Sequence, residues 1–470
     1  MSTAIDEVLQ ATGGKLLSRG EDDFSGFIID SRKASEKASG GDLFFPLPGE
    51  NTDGHRYIAK ALQNGAVGAL MEESWADFVR NEPIPPGKTL ILVENIMQAM
   101  HQLALFNRQK HPIPLIAVTG SNGKTTTKDL IASVLAVKYN VLKTEANYNN
   151  HLGLPLMLLS LNQDHEVAVL EMGMSGLGEI AFLASLALPS LGVITNIGEA
   201  HLASLGSRDN IAQAKNELLV SMGAGGKAFL NLDDPYLRKM GADFPGQAYY
   251  FGDDQEADLR LLDYSTSSGG GSRFAVYEAQ AGDLWEFLLP LPGRHNINNA
   301  LAAIALGLHF GLNYEEIKTG LDGAEITGMR MEIRQAEGGF QVVNDAYNAS
   351  PTSMKAALET LMDLAGEKKM IAVLGDMLEL GDLTEEGHLE VGRYLAALAP
   401  EHLVTIGELA AIIAQGAAEA GFPEEKIFKA ESSREALEHL CSLELQDSCI
   451  LLKGSRKMRL EQLSEELLRL

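Results

Sequence analysis

The chain has 470 residues, 45% of them hydrophobic and 22% charged, which is the balance of an ordinary globular protein. Its length asks for more than one core, and at roughly 100–200 residues per domain three domains is the natural division. Lys and Arg number 38 against 64 Asp and Glu, a formal net charge of −26; so acidic a surface repels nucleic-acid backbones and anionic lipid, and admits an anionic nucleotide only into a locally basic pocket.

In chain order, the first block runs over residues 1–111. Met1 to Glu7 carries neither the basic nor the apolar block of a signal peptide. Strand-like runs follow at 27–29, 43–47 and 90–93, with a helical stretch at 55–63 and a Pro/Gly loop at 83–87. A helix over 95–108 leads to His111-Pro112-Ile113-Pro114, which reads as a hinge. The second block, 112–328, sets strand-like runs at 115–118, 167–170, 192–195 and 228–230 between helical patterns, the signature of a parallel sheet with crossover helices. Residues 180–198 carry no charge, yet Ser185, Pro189, Ser190, Gly192, Thr195 and Asn196 interrupt them. They read as a short buried helix, a turn at Pro189-Ser190 and a buried strand rather than a membrane span. A more β-rich insert with a Gly/Ser turn at 265–272 precedes a helix over 297–310. The third block, 329–470, alternates again, with strands expected at 341–343, 370–374, 403–406 and 449–452. It reads as a Rossmann-like domain without a Gly-x-Gly-x-x-Gly fingerprint, so no dinucleotide is assigned to it. Cys441 and Cys449 match no metal-site spacing and read as reduced thiols. The fold class is therefore α/β in three domains, and the expected setting is a cytoplasmic monomer with no nucleic-acid partner and no membrane insertion.

The most specific motif is Thr119-Gly120-Ser121-Asn122-Gly123-Lys124-Thr125-Thr126, directly after the apolar run 115–118. Gly120 and Gly123 allow a tight turn whose N–H groups face phosphate oxygens, and the helix that follows adds its positive end. Lys124 would neutralise the outer phosphates and the Thr125 hydroxyl would hold Mg²⁺. The motif is a shortened P-loop, with Val118 where the strict form has glycine. The alternative, a plain glycine turn, leaves the lysine and two threonines without a purpose.

Other candidates are read against blander roles. Glu171 ends a strand-like run, at the sheet edge where ligands bind, as a metal ligand or a solvated glutamate. His201, beyond the next strand, is a metal or phosphate ligand or a polar loop residue. Lys215, by spacing alone, sits on a solvated helix face. Asn296, in the cluster 294–300 that opens a helix, either caps it or reads a nucleobase edge. Arg330 at the second boundary is a swinging phosphate ligand or a surface arginine, and Asp345, after a strand, binds ribose or ends a turn.

Taken in this order, these stretches resemble the Mur ligase family of peptidoglycan synthesis over nearly the whole chain. Thr144–Pro155, Asn344–Pro351, Leu374–Gly381 and Lys453–Arg456 resemble the branch that joins D-alanyl-D-alanine to a UDP-N-acetylmuramoyl-tripeptide. The resemblance implies an N-terminal UDP-binding domain containing Asp30-Ser31-Arg32 and the stretch 49–55, with Ser31 and Arg32 at the substrate. It implies a central ATPase domain in which Asn149 and Asn150 lie along that substrate. Lys124 and Thr125 would serve ATP and Mg²⁺, and Glu171 and His201 would be ligands of two Mg²⁺ ions. Lys215 would be carbamylated by CO₂, which overturns the solvated-face reading. Asn296 would touch adenine, Arg330 and Asp345 would reach ATP from the C-terminal domain, and the Lys453–Arg456 stretch is a candidate for holding the dipeptide. The implied chemistry is acyl-phosphate formation followed by amine attack. A sister ligase, a folylpolyglutamate-synthase-like enzyme and a nucleotide-switched binding protein are the alternatives.

Overall fold

Short apolar runs closed by glycine, asparagine or aspartate become buried strands, and the stretches between them with helical spacing become crossover helices. The computed structural model describes residues 3–20, 22–34, 41–49, 52–267 and 270–470. Met1 and Ser2 of the N-terminal stretch, Glu50 and Asn51 of the 49–55 stretch, and Ser268 and Gly269 of the Gly/Ser turn lie outside the described residues.

The chain forms two compact units, the first built from Met1–Leu115, Asn140–Met172 and Phe182–Pro189. Its six-stranded sheet runs in the order Thr3–Ala4, Asp23–Ile28, Gly41–Phe44, Gly68–Glu72, Thr89–Val93, Lys15–Ser18. The four inner strands are parallel and the two edge strands antiparallel. The strand Gly68–Glu72 was not expected, because Gly-Ala-Leu-Met-Glu has no β-branched residue; its burial in the sheet overrides that weak preference. Helix Ile96–Lys110 begins at Asn95, whose side chain accepts from the Gln98 N–H. Asn107 and Arg108 near its end are buried because they bond carbonyls: Asn107 those of Leu158 and Leu161, Arg108 those of Ala187, His111 and Ile113. The parallel pair Val141–Lys143 and Val167–Glu171 and the helix Gly153–Leu159 belong to the same unit.

The second unit comprises Ile116–Tyr139, Gly173–Ala181 and Ser190–Leu470. Strands Leu115–Thr119, Leu191–Ile194, Lys227–Asn231, Gln247–Gly252 and Leu259–Thr266 pair in parallel in that order. Two antiparallel strands, Ser272–Glu278 and Asp283–Leu289, complete this β-rich end. The uncharged stretch 180–198 folds as expected, as the end of helix Glu179–Ala187 and the buried strand Leu191–Ile194. A second sheet of this unit orders Glu332–Gln335, Gln341–Asn344, Ser448–Lys453, Lys369–Gly375, His402–Ile406, Ile427–Ala430, all parallel except the first. Apolar clusters cover both its faces. The carboxyl ends of these parallel strands deliver Thr119, Thr195, Asp345 and Lys453, where open α/β sheets place their ligands.

Candidate active site

Strand Leu115–Thr119 is fully buried, and the chain leaves it through Gly120 (φ +148°) and enters helix Lys124–Ala136 through Gly123 (φ +81°). A Cβ at Gly120 would lie 1.8 Å from Thr195 Oγ1, and one at Gly123 2.5 Å from Asn299 Oδ1, so neither place admits a side chain. The loop between them is pinned to the residues after the neighbouring strand. The Asn122 N–H donates to Asn196 Oδ1 at 3.0 Å, Thr195 Oγ1 donates to the Asn122 carbonyl, and the Gly198 N–H donates to Ser121 Oγ at 2.8 Å. Lys124 arches over the loop, its Nζ 2.9 Å from the Gly120 carbonyl and 3.3 Å from that of Ser121. Thr125 and Thr126 are buried at the head of the helix. Asn122 Nδ2 is buried with no hydrogen-bond partner. An orphaned donor in a loop of this shape is a place for an acceptor such as a phosphate oxygen.

Helix Arg294–His309 backs this loop through a chain of amides. Thr127 Oγ1 donates to Asn299 Oδ1 at 3.0 Å, Asn299 Nδ2 to Asn296 Oδ1 at 3.2 Å, and Asn296 Nδ2 to the Pro292 carbonyl at 2.8 Å. One donor and one acceptor position of the Asn296 carboxamide are thereby used, leaving one of each.

Lys215 lies on helix Arg208–Met222 and is only 1% exposed. The solvated-face reading of its spacing is therefore wrong, and the reason is visible in retrospect. Ile211, Ala214, Lys215, Leu218 and Leu219 form one stripe at helical spacing, and the stripe is the buried one. Burial, and then the nearby charge of Lys124, hold its amine well below the ordinary lysine range. His201 has a left-handed backbone (φ +65°), and its Nδ1 is 3.0 Å from Glu379 Oε2. Burial and Lys124 depress its pKa, Glu379 opposes them, and Lys215 adds to the depression. Lys124, His201 and Lys215 thus stand close enough to act on one another.

The Arg330 guanidinium lies over the Tyr347 ring at 4.0 Å, and its buried Nε has no partner. Met329 and Met331 on either side both have positive φ, so the backbone is strained where this arginine is presented. Asp345 accepts from Lys453 Nζ at 2.6 Å and from the Met331 N–H at 3.3 Å. Lys453 donates also to the Asn348 carbonyl. Sequence reading did not pair Lys453 with Asp345. Its buried position at the end of an apolar strand was the available signal.

In the first unit, Glu171 closes strand Val167–Glu171 and is 3% exposed, not solvated. Its Oε1 accepts from Asn149 Nδ2 at 2.7 Å, and its N–H donates to Thr144 Oγ1 at 2.8 Å. Asn150 Oδ1 accepts from the Leu152 and Gly153 N–H groups, capping helix Gly153–Leu159. Ser31 is buried, whereas the Arg32 guanidinium stands in solvent and grips Asp30 at 2.8 Å. The Arg32 side chain and N–H together lower the Asp30 carboxyl to about 2. A cavity of about 420 Å³ in this unit is lined by Phe24, Ser25, Lys33, Lys110 and His111, among others. Among the described residues no group of three His, Cys, Asp or Glu side chains could hold a metal ion unaided, and no helix is long and apolar enough to cross a membrane.

A strand, a glycine-hinged loop and a lysine-led helix at the edge of a parallel sheet define a nucleotide-triphosphate enzyme of the P-loop kind. Family profiles place it further: residues 24–108 match "Mur ligase family, catalytic domain", 118–307 "Mur ligase middle domain" and 329–456 "Mur ligase, glutamate ligase domain". The UDP-N-acetylmuramoyl-tripeptide--D-alanyl-D-alanine ligase of Bacillus subtilis is 40% identical over 94% of this chain and 93% of its own. The crystal structure of MurF from Acinetobacter baumannii superposes with a TM-score of 0.87 at 31% identity, covering 100% and 99% of the two chains. That of MurF ligase from Thermotoga maritima in complex with ADP does so with 0.80 at 27%, covering 94% and 96%. The chain belongs to the Mur ligase family, in three α/β domains, and is an ATP-dependent, ADP-forming ligase.

Proposed function

We propose that the chain joins D-alanyl-D-alanine to the terminal peptide carboxylate of UDP-N-acetylmuramoyl-tripeptide, giving UDP-N-acetylmuramoyl-pentapeptide, ADP and phosphate in cytoplasmic peptidoglycan precursor synthesis. The observation that carries this reading is the glycine-hinged phosphate cradle with Lys124, His201 and a buried Lys215 gathered about it. A relative with that activity in its name matches 94% of the chain. We divide the work as residues 1–111 for the sugar nucleotide, 112–328 for ATP and 329–470 for closing the site, in a monomer.

Lys124 and the N–H groups of Gly123–Thr126 hold the β- and γ-phosphates. A peptide carboxylate oxygen attacks the γ-phosphorus, the bond to the β-phosphate oxygen breaks, and an acyl phosphate and ADP result. The amine of the dipeptide then adds to the acyl carbon and loses a proton, and phosphate leaves as the amide forms. Little covalent work falls to the protein, so its contribution is placement and charge neutralisation. Arg330, its Nε unsatisfied at a strained boundary, is suited to meet the transferring phosphoryl group. Asp345 and Asn296 would serve the adenosine end; the spare donor and acceptor of Asn296 match an adenine edge. Ser31, Arg32, Asn149 and Asn150 would line the path of the UDP-linked substrate.

A cation that arrives on a triphosphate needs only one or two protein oxygens, which fits a site without an acidic cage. Thr125, Glu171, His201 and a carbamate on Lys215 would hold two Mg²⁺ ions, whose charge would offset that of the phosphates. Burial lowers the pKa of the Lys215 amine and so favours the unprotonated form that attacks CO₂: an N–C bond forms, a proton is lost and the side chain becomes an anion. The test is a substrate panel weighed by mass spectrometry. The pentapeptide must form with D-alanyl-D-alanine and the tripeptide together. A product with single amino acids, or ATP consumption indifferent to the dipeptide, refutes the assignment.

A further inference from the structure

Glu379 belongs to none of the roles above, yet the loop that carries it is built to reach His201. Both residues adopt left-handed backbones, φ +67° and +65°, which non-glycine residues hold only when their surroundings impose it. Around the His201–Glu379 contact the two segments are docked. The Ala203 N–H donates to the Glu379 carbonyl at 3.0 Å, and a Cβ on Gly381 would lie 2.8 Å from the Ala203 Cα. The loop is fixed from behind. The Met377 N–H donates to His388 Nε2 at 3.1 Å, the Leu378 N–H to Ser455 Oγ at 2.8 Å, and Asp376 Oδ1 accepts from the Ala410 N–H at 2.7 Å. His388 is fully buried, and its Nδ1 donates to the Thr384 carbonyl, so its Nε2 can only accept.

We propose that Glu379 is a positioning residue for His201: its carboxylate accepts a hydrogen bond from Nδ1–H, fixing the ring and the tautomer so that bare Nε2 is the nitrogen presented to the triphosphate and its cation. A carboxylate behind a ligating imidazole acts in this way in metal sites generally. Because Glu379 comes from the block that begins at residue 329 and His201 from the block before it, this pair makes the central site depend on the docking of the C-terminal block. The inference rests on the ligase reading for its catalytic consequence, but not for the tautomer.

The experiment therefore has two arms. In nitrogen-15 NMR of the metal-free full chain labelled in histidine, His201 should show a protonated Nδ1 and a bare Nε2. Glu379→Gln, which keeps an acceptor, should preserve that pattern, and Glu379→Ala should mix the tautomers. In turnover, Glu379→Ala should lose on the order of 10–100-fold in kcat, with the KM for the dipeptide unmoved and Glu379→Gln restoring most of the rate. In a His201→Ala background the second substitution should change kcat less than about two-fold, since coupled positions are not additive. An unchanged tautomer in Glu379→Ala, equal damage from Gln and Ala, or losses that multiply in the double variant each overturn the proposal. Failure of the unmodified chain to ligate would instead sink the ligase reading and leave the tautomer result standing.

Discussion

Lys215 in the central region and Lys453 in the C-terminal region are both lysines that folding removes from water, 1% and 3% exposed, and they are treated in opposite ways. Lys453 is met by the Asp345 carboxylate at 2.6 Å and by the carbonyls of Asp345 and Asn348. Lys215 is met by no ion pair among the described residues, and the charge that acts on it is that of another lysine, Lys124. A desolvated charge costs several kcal/mol unless it is paired and hydrogen-bonded. The chain offsets that cost at Lys453 and leaves it standing at Lys215, where burial instead holds the amine well below the ordinary lysine range. Strongly perturbed pKa values cluster at functional sites, which singles out Lys215, whereas Lys453 and Asp345 satisfy each other.

The largest effect that tests this contrast is on activity. Lys215→Met should lower turnover on the order of a thousand-fold, the scale of losing a fixed charge at a transferring group, while the melting temperature holds or rises because a buried polar head is gone. Lys215→Ala should regain part of its rate with added short carboxylates standing in for a carbamate. Calorimetry beside a phosphate-release assay reads both. A melting temperature that falls in Lys215→Met would erase the distinction.

Next comes a third buried lysine, Lys128, 2.8 Å from Asp129, with both side chains 1% exposed. Asp129 also accepts from the N–H and hydroxyl of Thr327, so it ties the helix behind the phosphate loop to the segment before Arg330. Burial pushes the Asp129 carboxyl up, but Lys128 and Thr327 prevail and hold it below its ordinary value. Asp129→Ala should destabilise by about 3–5 kcal/mol, because it strands a buried charge. Lys453→Met should cost somewhat less, about 2–3 kcal/mol, since Asp345 keeps some contact with water; replacing Asp345 by Asn in the same chain should recover most of it. Denaturant midpoints at pH 7 measure both, and a Lys453→Met variant as stable as the parent would place that pair with Lys215 rather than against it.

What the sequence made legible follows the same division. The phosphate loop is local chemistry: eight consecutive residues carry the glycines, the lysine and the threonines, and the fold only has to present them. The strand ends bearing Glu171 and Asp345 were legible too, since an apolar run that stops at a carboxylate has one orientation in a parallel sheet. The burial of Lys215 was within reach, because Ile211, Leu218 and Leu219 mark its stripe, but a lone charge on a helix ordinarily faces water, and the family resemblance rather than the spacing overturned the solvated-face reading. The grip of Glu379 on His201 joins residues 178 positions apart, and Lys453 meets Asp345 across 108; only the strand order brings either pair together. Strands such as Gly68–Glu72 and Val141–Lys143 escaped because neighbours, not residue preference, make them strands.

The smallest effect sharpens the comparison inside the C-terminal region itself. His388 there resembles Lys215, not Lys453: it is fully buried, and burial lowers its pKa more than the Thr384 carbonyl and Asp376 raise it. The unfolded chain binds a proton at this residue below about pH 6.5, while the folded chain, whose imidazole pKa is lowered by burial, binds it only at lower pH. The unfolded state therefore carries more protons in that window, and stability must rise with pH through it and level off above. His388→Phe removes this contribution, so its stability should climb less steeply between pH 5 and 7 than that of the parent. At pH 7 it should also lose about 1–3 kcal/mol, because the Met377 N–H is left buried without an acceptor. Seven other histidines of the chain also have lowered pKa values, so the decisive quantity is the difference in slope between variant and parent. Parallel slopes would mean that His388 binds its proton as readily in the folded chain as in the unfolded one, and that burial does not hold its pKa down.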